Sequence, residues 1–156
     1  MSLQTPAVPF GEAMENWSDA TLERVRIAGY RGGAAQRAII DLLASESCCL
    51  TAQEIFDRLR GAERRVSLAS VYRTLDRLSE LRLVQRVEVG QGSARFERSA
   101  AENHHHHLVC NDCGRVEAFC DDRLEQAIHG VARNVRYDVE AHDVVLHGAC
   151  ADCATA

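Results

Sequence analysis

A run of histidines and cysteines between residues 103 and 113 contains two kinds of metal ligand. The segment reads Asn-His-His-His-His-Leu-Val-Cys-Asn-Asp-Cys, so four imidazoles precede a C-x-x-C motif. Neutral imidazole suits zinc, iron, nickel and copper, whereas paired thiolates favour zinc or an iron–sulfur cluster. The segment therefore predicts at least two metal sites of different chemistry. An affinity tag would be terminal, and a simple polar loop would not lead straight into an apolar strand.

Two C-x-x-C pairs, Cys110 with Cys113 and Cys150 with Cys153, form the most specific pattern in the chain. Four thiolates in two knuckles can close a tetrahedral zinc site. Because the sequence shows no export signal, this spacing indicates metal ligation rather than a disulfide framework. The 36 residues between the pairs leave room for a helix and a strand. Two unrelated reduced pairs and an iron–sulfur cluster remain open as alternatives. Cys120 stands outside the pattern and is predicted to be a packed thiol.

The spacing of the histidines predicts how they divide between sites. If residues 104–110 are extended, successive side chains point to opposite faces. His104 and His106 would then face one way, and His105 and His107 the other. One strand could therefore supply ligands to two metal sites.

Composition limits the class of protein. With 156 residues, 46% of them hydrophobic and 26% charged, the chain can form one large domain or two small ones around a buried core. No apolar run approaches the ~20 residues that a membrane span needs, so a cytoplasmic protein without a membrane partner is expected. Residues 2–98 contain 14 arginines and 13 acidic residues, whereas residues 99–156 contain four and ten. The acidic C-terminal part suits cations better than nucleic acid.

Residues 1–17 hold both prolines and little periodicity, which predicts a flexible N-terminal arm. Apolar residues at helical spacing then predict four helices in a domain that covers residues 18–98. The third begins with Thr51-Ala-Gln-Glu54, which has the spacing of a capping box. The predicted helices cover residues 18–29, 34–44, 51–61 and 67–81.

The last two of these helices fit a helix-turn-helix. They are joined by a short connection, and the second has a polar face containing Ser70, Arg73, Thr74 and Arg77. The strand-like runs 83–89 and 94–98 flank Gly90-Gln91-Gly92, a hairpin signal that predicts the wing of a winged helix. An ordinary helix bundle with a solvated arginine face remains the alternative.

A second domain is predicted over residues 104–156, after a short polar hinge at 99–103. It should contain strands at 104–110, 116–119 and 142–147, and a helix at 122–134. In that helix Leu124, Ala127, Ile128 and Val131 are expected to be buried, and Asp122 with Glu125 could form a capping box. So small an α/β unit has little core of its own, which favours a dimer through the sheet. The predicted fold class is therefore α+β, a winged helix followed by a small α/β dimerisation domain.

Three motifs together resemble the ferric uptake regulator (Fur) family over residues 18–153. They are Ser-Val-Tyr-Arg-Thr-Leu at 70–75, the histidine-rich strand leading into Cys-x-x-Cys-Gly, and the terminal Cys-x-x-Cys. The resemblance implies a metal-dependent, dimeric, DNA-binding transcriptional regulator in which the four cysteines of the two knuckles hold structural zinc. It also implies that Tyr72 and Arg73 meet DNA bases. The residues expected at the DNA are Ser67, Ser70, Tyr72, Arg73 and Arg77.

The resemblance further implies two histidine-containing sites. A regulatory site at the hinge would use Glu97, His105 and His107, with Cys49 standing where many members have a histidine. An additional acidic position of that site matches Ala118, one residue from Glu117. The regulatory ion would be zinc, iron or manganese. The third site matches residues His104, His106, Glu125 and His142.

The sequence, through this resemblance, thus implies a cytoplasmic homodimeric repressor that binds a pseudo-palindromic DNA operator when loaded with metal. One departure from the family is that Gly32-Gly33 precedes the second helix in place of Thr and Pro, which weakens the helix start. No small organic substrate is expected. A constitutive zinc-stabilised DNA-binding or scaffold protein is one alternative, and a thiol- or metal-dependent enzyme is another. The doubled C-x-x-C argues against the enzyme, because it indicates a closed site without an open coordination position.

Overall fold

The computed structural model describes residues 10–90, 94–99 and 105–154. The chain divides into two compact units, Met1–Ser99 and Ala100–Ala156. The first contains α1 (Phe10–Ile27), α2 (Ala34–Ser45), β1 (Leu50–Thr51), α3 (Ala52–Gly61), α4 (Leu68–Glu80), β2 (Val84–Val87) and β3 (Arg95–Arg98). The second contains β4 (His106–Cys110), β5 (Val116–Phe119), α5 (Asp122–Val135), β6 (Val145–Gly148) and α6 (Ala151–Ala154). Within these described residues, no helix is both long and apolar enough to span a membrane.

Helix α1 begins at Phe10, eight residues before the predicted start at Ser18. The prediction of an arm over residues 1–17 is therefore wrong for residues 10–17, and residues 1–9 lie outside the described ones. The prolines that suggested an irregular segment are Pro6 and Pro9, and nothing after Pro9 prevents a helix. Trp17 also packs against the core of the first unit, which extends the helix N-terminally.

The core of the first unit is built from the apolar faces of α2, α3 and α4. The inward residues predicted for α2, Ile39, Ile40 and Leu43, are buried. Thr74 is a correction, because it is buried and does not lie on the polar face of α4. It lies three residues after Val71 and four before Leu78, and this spacing places it on the same helix face as those buried residues.

Side-chain caps set the starts of α3 and α4. The predicted capping box is confirmed: Thr51 Oγ1 accepts a hydrogen bond from Glu54 N (3.1 Å), and Glu54 Oε2 accepts one from Thr51 N (2.7 Å). Ser67 and Ser70 form the equivalent pair at α4. Gly33 is the N-cap of α2, and because it has no side chain it cannot cap the helix with a side-chain hydrogen bond.

Substituting Thr51 with alanine is expected to lower the free energy of unfolding by about 1 kcal/mol, because one backbone N–H of α3 loses its acceptor. Urea unfolding followed by far-UV circular dichroism measures this change. Ser47→Ala, at an exposed position in the preceding loop, is the control and should stay within roughly 0.5 kcal/mol of the parent protein. Equal stabilities of the two variants would contradict a stabilising role for the cap.

The first unit also carries a three-stranded sheet in the order β1-β3-β2. The predicted hairpin strands are confirmed as β2 and β3, which pair antiparallel from Val84 with Arg98 to Val87 with Arg95. The predicted turn falls mostly on residues 91–93, outside the described part. Strand β1 pairs antiparallel with β3, placing Leu50 opposite Phe96. Helices followed by this small sheet make the first unit a winged helix.

The second unit is a three-stranded sheet in the order β5-β4-β6, with α5 between β5 and β6 in the chain. Strand β4 is antiparallel to β5 and parallel to β6. The predicted third strand is confirmed as β6 (Val145–Gly148), but its start was placed three residues too early, because His142 precedes the strand. The side chain of His142 contacts Glu125 instead, as described below. The chain therefore combines helices and mixed sheet in an α+β fold.

Helix α5 corrects two further expectations. Asp121 is its N-cap and accepts hydrogen bonds from the backbone N–H groups of Arg123 (2.8 Å) and Leu124 (2.9 Å), so Asp122 and Glu125 do not form a capping box. The apolar stripe that was expected to be buried is not buried within one chain, since Val131 is 61% exposed. The helix has the predicted amphipathic spacing, but the described residues of this unit do not cover its far end.

Candidate metal centres and DNA-binding surface

The two cysteine knuckles sit at neighbouring strand ends in the second unit. Strand β4 ends at Cys110, and Gly114 closes the first knuckle with a left-handed φ of 73° that favours glycine. Its N–H donates to the carbonyl of Cys110 at 3.0 Å. Cys150 follows β6, which lies beside β4 with Gly148 opposite Cys110. The parallel pairing of β4 and β6 therefore brings the two knuckles together.

All four cysteine Sγ atoms lie within 4.8 Å of one another. Cys113 Sγ is 3.8 Å from Cys150 Sγ, and Cys110 Sγ accepts a hydrogen bond from the backbone N–H of Cys150 at 3.3 Å. Tetrahedral zinc with Zn–S bonds of ~2.3 Å requires sulfur pairs about 3.8 Å apart. The thiols therefore fit a structural zinc ion in both type and spacing.

The pKa values of these thiols indicate that they need a cation to ionise together. Backbone N–H groups of Cys113 and Cys150 lower the pKa of Cys110 to about 6. The pKa of Cys153 is raised to about 12, first by its hydrogen bond with Cys150 and then by that with Cys113. Like charges this close oppose one another, so four thiolates are stable only around a positive ion.

A second cluster in the same unit combines two imidazoles with a carboxylate. His106 Nε2 lies 2.7 Å from Glu125 Oε1, and His142 Nε2 lies 3.1 Å from Glu125 Oε2. His106 is 1% exposed and the other two residues are half-buried. This set of nitrogen and oxygen donors suits zinc, iron or manganese. His104, predicted as a fourth member, lies outside the described residues.

Residues 105–107, at the start of strand β4, show the predicted alternation. The rings of His105 and His107 have centroids 5.0 Å apart, whereas His106 points to Glu125. His107 pairs with Ala118 across the sheet, and Leu108 pairs with Glu117. Residues paired in this way share a face, so Glu117 lies on the face opposite His107.

The remaining ligands of the predicted hinge site, Glu97 and Cys49, belong to the first unit. Glu97 is in β3 and accepts a hydrogen bond from Gln85 Nε2. Cys49 immediately precedes β1, whose pairing with β3 carries it next to the position of Glu97. The pKa of Cys49 is raised by its hydrogen bond with Cys48, by burial, and by the nearby negative charges of Cys48 and Glu97. A cation close to Cys49 would oppose these effects on the pKa and favour the thiolate form of Cys49.

Helix α4 presents a polar surface to solvent. Tyr72 is 48% exposed and Arg73 is also exposed. The guanidinium of Arg77 instead lies 4.9 Å from the centre of the Tyr30 ring, a cation–π contact. The helix therefore offers Tyr72 and Arg73 directly, while the side chains of Ser67 and Ser70 form its cap.

This combination of a winged helix with metal-ligand clusters agrees with one known family. The model of the ferric uptake regulator family matches residues 28–147, which is most of the chain. The chain belongs to the ferric uptake regulator family. It is therefore a metal-responsive transcriptional regulator and not an enzyme.

Individual relatives agree with the family assignment. The ferric uptake regulation protein of Bacillus subtilis is 31% identical over 143 residues, covering 90% of this chain and 96% of the relative. The crystal structure of the Vibrio cholerae ferric uptake regulator aligns with a TM-score of 0.73 at 31% identity, over 82% of this chain and 98% of that one. The Helicobacter pylori Fur structure aligns with a TM-score of 0.79 over 90% and 93%, and at 23% identity it supports the fold.

Several features of this Fur-family chain were not apparent in its sequence. Arg95 Nη1 donates to Glu54 Oε2 (3.0 Å) and to the carbonyl of Cys49 (3.4 Å), which links β3 to the cap of α3. Tyr30, which stacks with Arg77, was also missed, because no sequence spacing relates them. Cys120 is exposed and is not the packed thiol that was predicted. It lies between the end of β5 and the N-cap of α5, where the chain turns at the surface.

Proposed function

We propose that this Fur-family protein is a cytoplasmic, homodimeric repressor that binds a pseudo-palindromic DNA operator when its regulatory site holds a divalent metal ion. The observation that carries the proposal is strand β4, which presents metal-ligand side chains on both faces. His106 contacts Glu125 on one face, and His105 and His107 lie together on the other. A winged helix precedes it, with Tyr72 and Arg73 exposed on α4. Metal binding and DNA binding thus reside in one chain.

For the structural site, we assign zinc to Cys110, Cys113, Cys150 and Cys153. Bound zinc supplies a cross-link between the two knuckles and neutralises the charge of the thiolates. Arg115 supports the same arrangement, because its guanidinium forms an ion pair with Asp152 (2.8 Å) that also joins the two knuckles. The site holds the C-terminal segment against strand β4.

For the regulatory site, we assign Glu97 and Cys49 from the first unit, and His105 and His107 from the second. An ion of the zinc, iron or manganese group would supply a cross-link between ligands of the two units. Glu97 lies two residues after Arg95 on β3, and Arg95 holds the cap of α3 through Glu54. Helix α3 packs against α4. The position of β3 is therefore connected to α4, the helix that presents Arg73, through the Arg95–Glu54 contact and the packing of α3 on α4.

The third set, His106, Glu125 and His142 with His104, is proposed to bind a further ion within the second unit. Its described members join β4, α5 and the segment before β6, so the site stabilises the packing of the helix on the sheet. This role differs from that of the regulatory site, whose ligands come from both units.

The dimer is proposed from the apolar surface that the second unit leaves exposed. Val131 and Val135 on α5 are 61% and 64% exposed, and Leu108 and Leu146 on the sheet are 41% and 48% exposed. A two-fold dimer can bury such a self-complementary surface. Two winged helices in a dimer also match a pseudo-palindrome, whose half-sites are about one DNA turn (~34 Å) apart.

The proposal is tested by letting the purified protein select duplexes from a pool of random sequence, with added metal and with a chelator. Enrichment of a pseudo-palindromic sequence only in the presence of metal is expected. Enrichment that is equally strong with the chelator would indicate a constitutive DNA-binding protein. Absence of any enriched sequence under both conditions would contradict specific DNA binding.

Arg73→Ala is expected to weaken binding to the selected operator while leaving binding to an unrelated duplex nearly unchanged. A bidentate contact between arginine and guanine contributes ~1–3 kcal/mol of discrimination, whereas loss of a phosphate contact weakens binding to all sequences. Fluorescence anisotropy on both duplexes measures the two affinities. Arg73→Lys is the matched control, because it keeps the positive charge but loses the planar guanidinium that makes two parallel hydrogen bonds. If Arg73 contacts a base, this variant should remain impaired; if Arg73 contacts a phosphate, binding should be restored. Equal losses on both duplexes would place Arg73 at the DNA backbone.

A further inference from the structure

Cys48 and Cys49 form a pair of adjacent thiols in the first unit. Their Sγ atoms are 3.9 Å apart. Cys49 is 2% exposed, and Cys48 is half-buried beside it. The function proposed above uses only Cys49, so the second thiol has no assigned role.

The pair is poorly placed to form a disulfide with itself. Adjacent residues joined by a trans peptide have Cα atoms about 3.8 Å apart, and no peptide is cis in the described residues. Ordinary disulfides join Cα atoms that are roughly 4.4 to 6.8 Å apart. The two sulfur atoms are nevertheless close enough for one further atom to bind both of them.

Their separation is the one that a tetrahedral metal ion requires. Two sulfur ligands with bonds of ~2.3 Å to zinc lie about 3.8 Å apart at the tetrahedral angle. The knuckle cluster provides an internal comparison, because Cys113 and Cys150 are 3.8 Å apart. The Cys48–Cys49 pair therefore has the spacing found within the four-cysteine site of this same chain.

A carboxylate lies close to the pair along the sheet. Leu50 pairs with Phe96, so Cys49, the residue before β1, continues the register towards Glu97, the third residue of β3. Arg95 holds the backbone here by donating to the carbonyl of Cys49 at 3.4 Å. The two thiols are thus on an anchored segment rather than on a free loop.

We propose that Cys48 and Cys49 together form a dithiolate metal site, which makes the regulatory ion a thiophilic divalent ion of the zinc and cadmium class. The inference rests on the regulatory role proposed above for Cys49. Each thiol releases its proton to solvent as it binds, so the two negative charges balance the ion. Two thiolates favour zinc over manganese and iron(II), which prefer a larger share of oxygen and nitrogen ligands.

Cobalt(II) titration of the protein with zinc already in its knuckles tests the site directly. Thiolate ligands give cobalt a near-ultraviolet charge-transfer band whose intensity follows the number of sulfur ligands. The parent protein and the Cys120→Ser control should give the full band once cobalt binding is saturated. Cys48→Ser should give about half of it, and the variant with both Cys48→Ser and Cys49→Ser none. Circular dichroism confirms that each variant is folded.

A full-strength band in Cys48→Ser would overturn the inference, as would a band that persists in the double variant, which would place the cobalt in the knuckles. A second measurement compares zinc and manganese affinities. Cys48→Ser should weaken zinc binding at the regulatory site by roughly 10-fold or more, since losing even a hydrogen-bond partner of a metal ligand costs about 10- to 100-fold. Manganese binding should stay nearly unchanged. Equal losses of zinc and manganese affinity would contradict the selection of the metal ion by two thiolates.

The two proposals can fail separately. A two-sulfur cobalt band in a protein whose DNA binding ignores added metal would keep the dithiolate site and refute the repressor function. A band unaffected by Cys48→Ser, in a protein whose DNA binding needs metal, would keep the repressor and refute the dithiolate site.

Discussion

Replacing Cys113 with serine is expected to release about one zinc ion per chain and to unfold residues 100–156 as a unit. Structural zinc sites bind with apparent free energies of about 10–16 kcal/mol, whereas a whole domain is stable by only about 5–15 kcal/mol. The described part of the second unit has little apolar core to offset this loss. Among the described residues of this unit, Cys110, His106 and His107 are buried, and α5 contributes no buried residue.

The expected result is measured by zinc content, far-UV circular dichroism and sedimentation of the variant. Loss of zinc should accompany loss of the sheet signal and a shift from dimer to monomer, since the unit that would dimerise is no longer folded. Cys120→Ser is the matched control, because Cys120 is an exposed cysteine of the same unit. A dimeric Cys113→Ser protein with normal zinc content would refute the assignment of the knuckles.

Local sequence signals predicted the elements whose determinants are themselves local. Helix α3 follows from the Thr51–Glu54 cap and the apolar spacing after it, and the structure contains both. The two C-x-x-C motifs predicted the cysteine cluster. A structural zinc ion takes four ligands, so cysteines in two such motifs are expected to come together even when they are far apart in the chain. The opposite directions of His106 and His107 follow from strand geometry alone. In each case the residues that carry the signal are also those that make the contact.

Features that depend on distant parts of the chain were missed. Strand β1 has two residues, too few to show alternation, and exists because β3 pairs with it. The start of β6 was placed at His142, although that side chain binds Glu125 and the strand begins at Val145. The exposure of Val131 was not foreseen, because helical spacing predicts an apolar face and not what covers it. Tertiary partners decide such features, and sequence periodicity does not contain them.

His107→Ala and His106→Ala are expected to have different effects, although the two residues are neighbours on β4. His107 lies on the face with His105, where the proposed regulatory ligands are. His107→Ala should abolish metal-activated binding to the operator while zinc content and dimer formation persist. The reason is that this substitution removes one ligand of the regulatory site and leaves the knuckles and the α5 contacts unchanged.

His106→Ala should act on stability. The ring of His106 is 1% exposed, and its Nε2 contacts Glu125 at 2.7 Å. Its removal leaves a cavity next to Phe119, whose ring centre is 5.4 Å away, and deprives the Glu125 carboxylate of a partner. Together these losses should destabilise the second unit by about 2 kcal/mol or more. For a unit of this size that corresponds to a fall in Tm of roughly 10 °C.

Operator affinity with and without added metal, measured alongside thermal unfolding, separates the two variants. His107→Ala should lose the metal response with a smaller fall in Tm than His106→Ala, because His106 also contacts Glu125, and His106→Ala should retain part of the response. His147→Ala, an exposed histidine on β6, is the control and should resemble the parent protein in both measurements. Neighbouring side chains of a regular strand cannot reach the same small site. Indistinguishable profiles for His106→Ala and His107→Ala would therefore show that the two sites act as one, and the division of ligands between the faces of β4 would have to be abandoned.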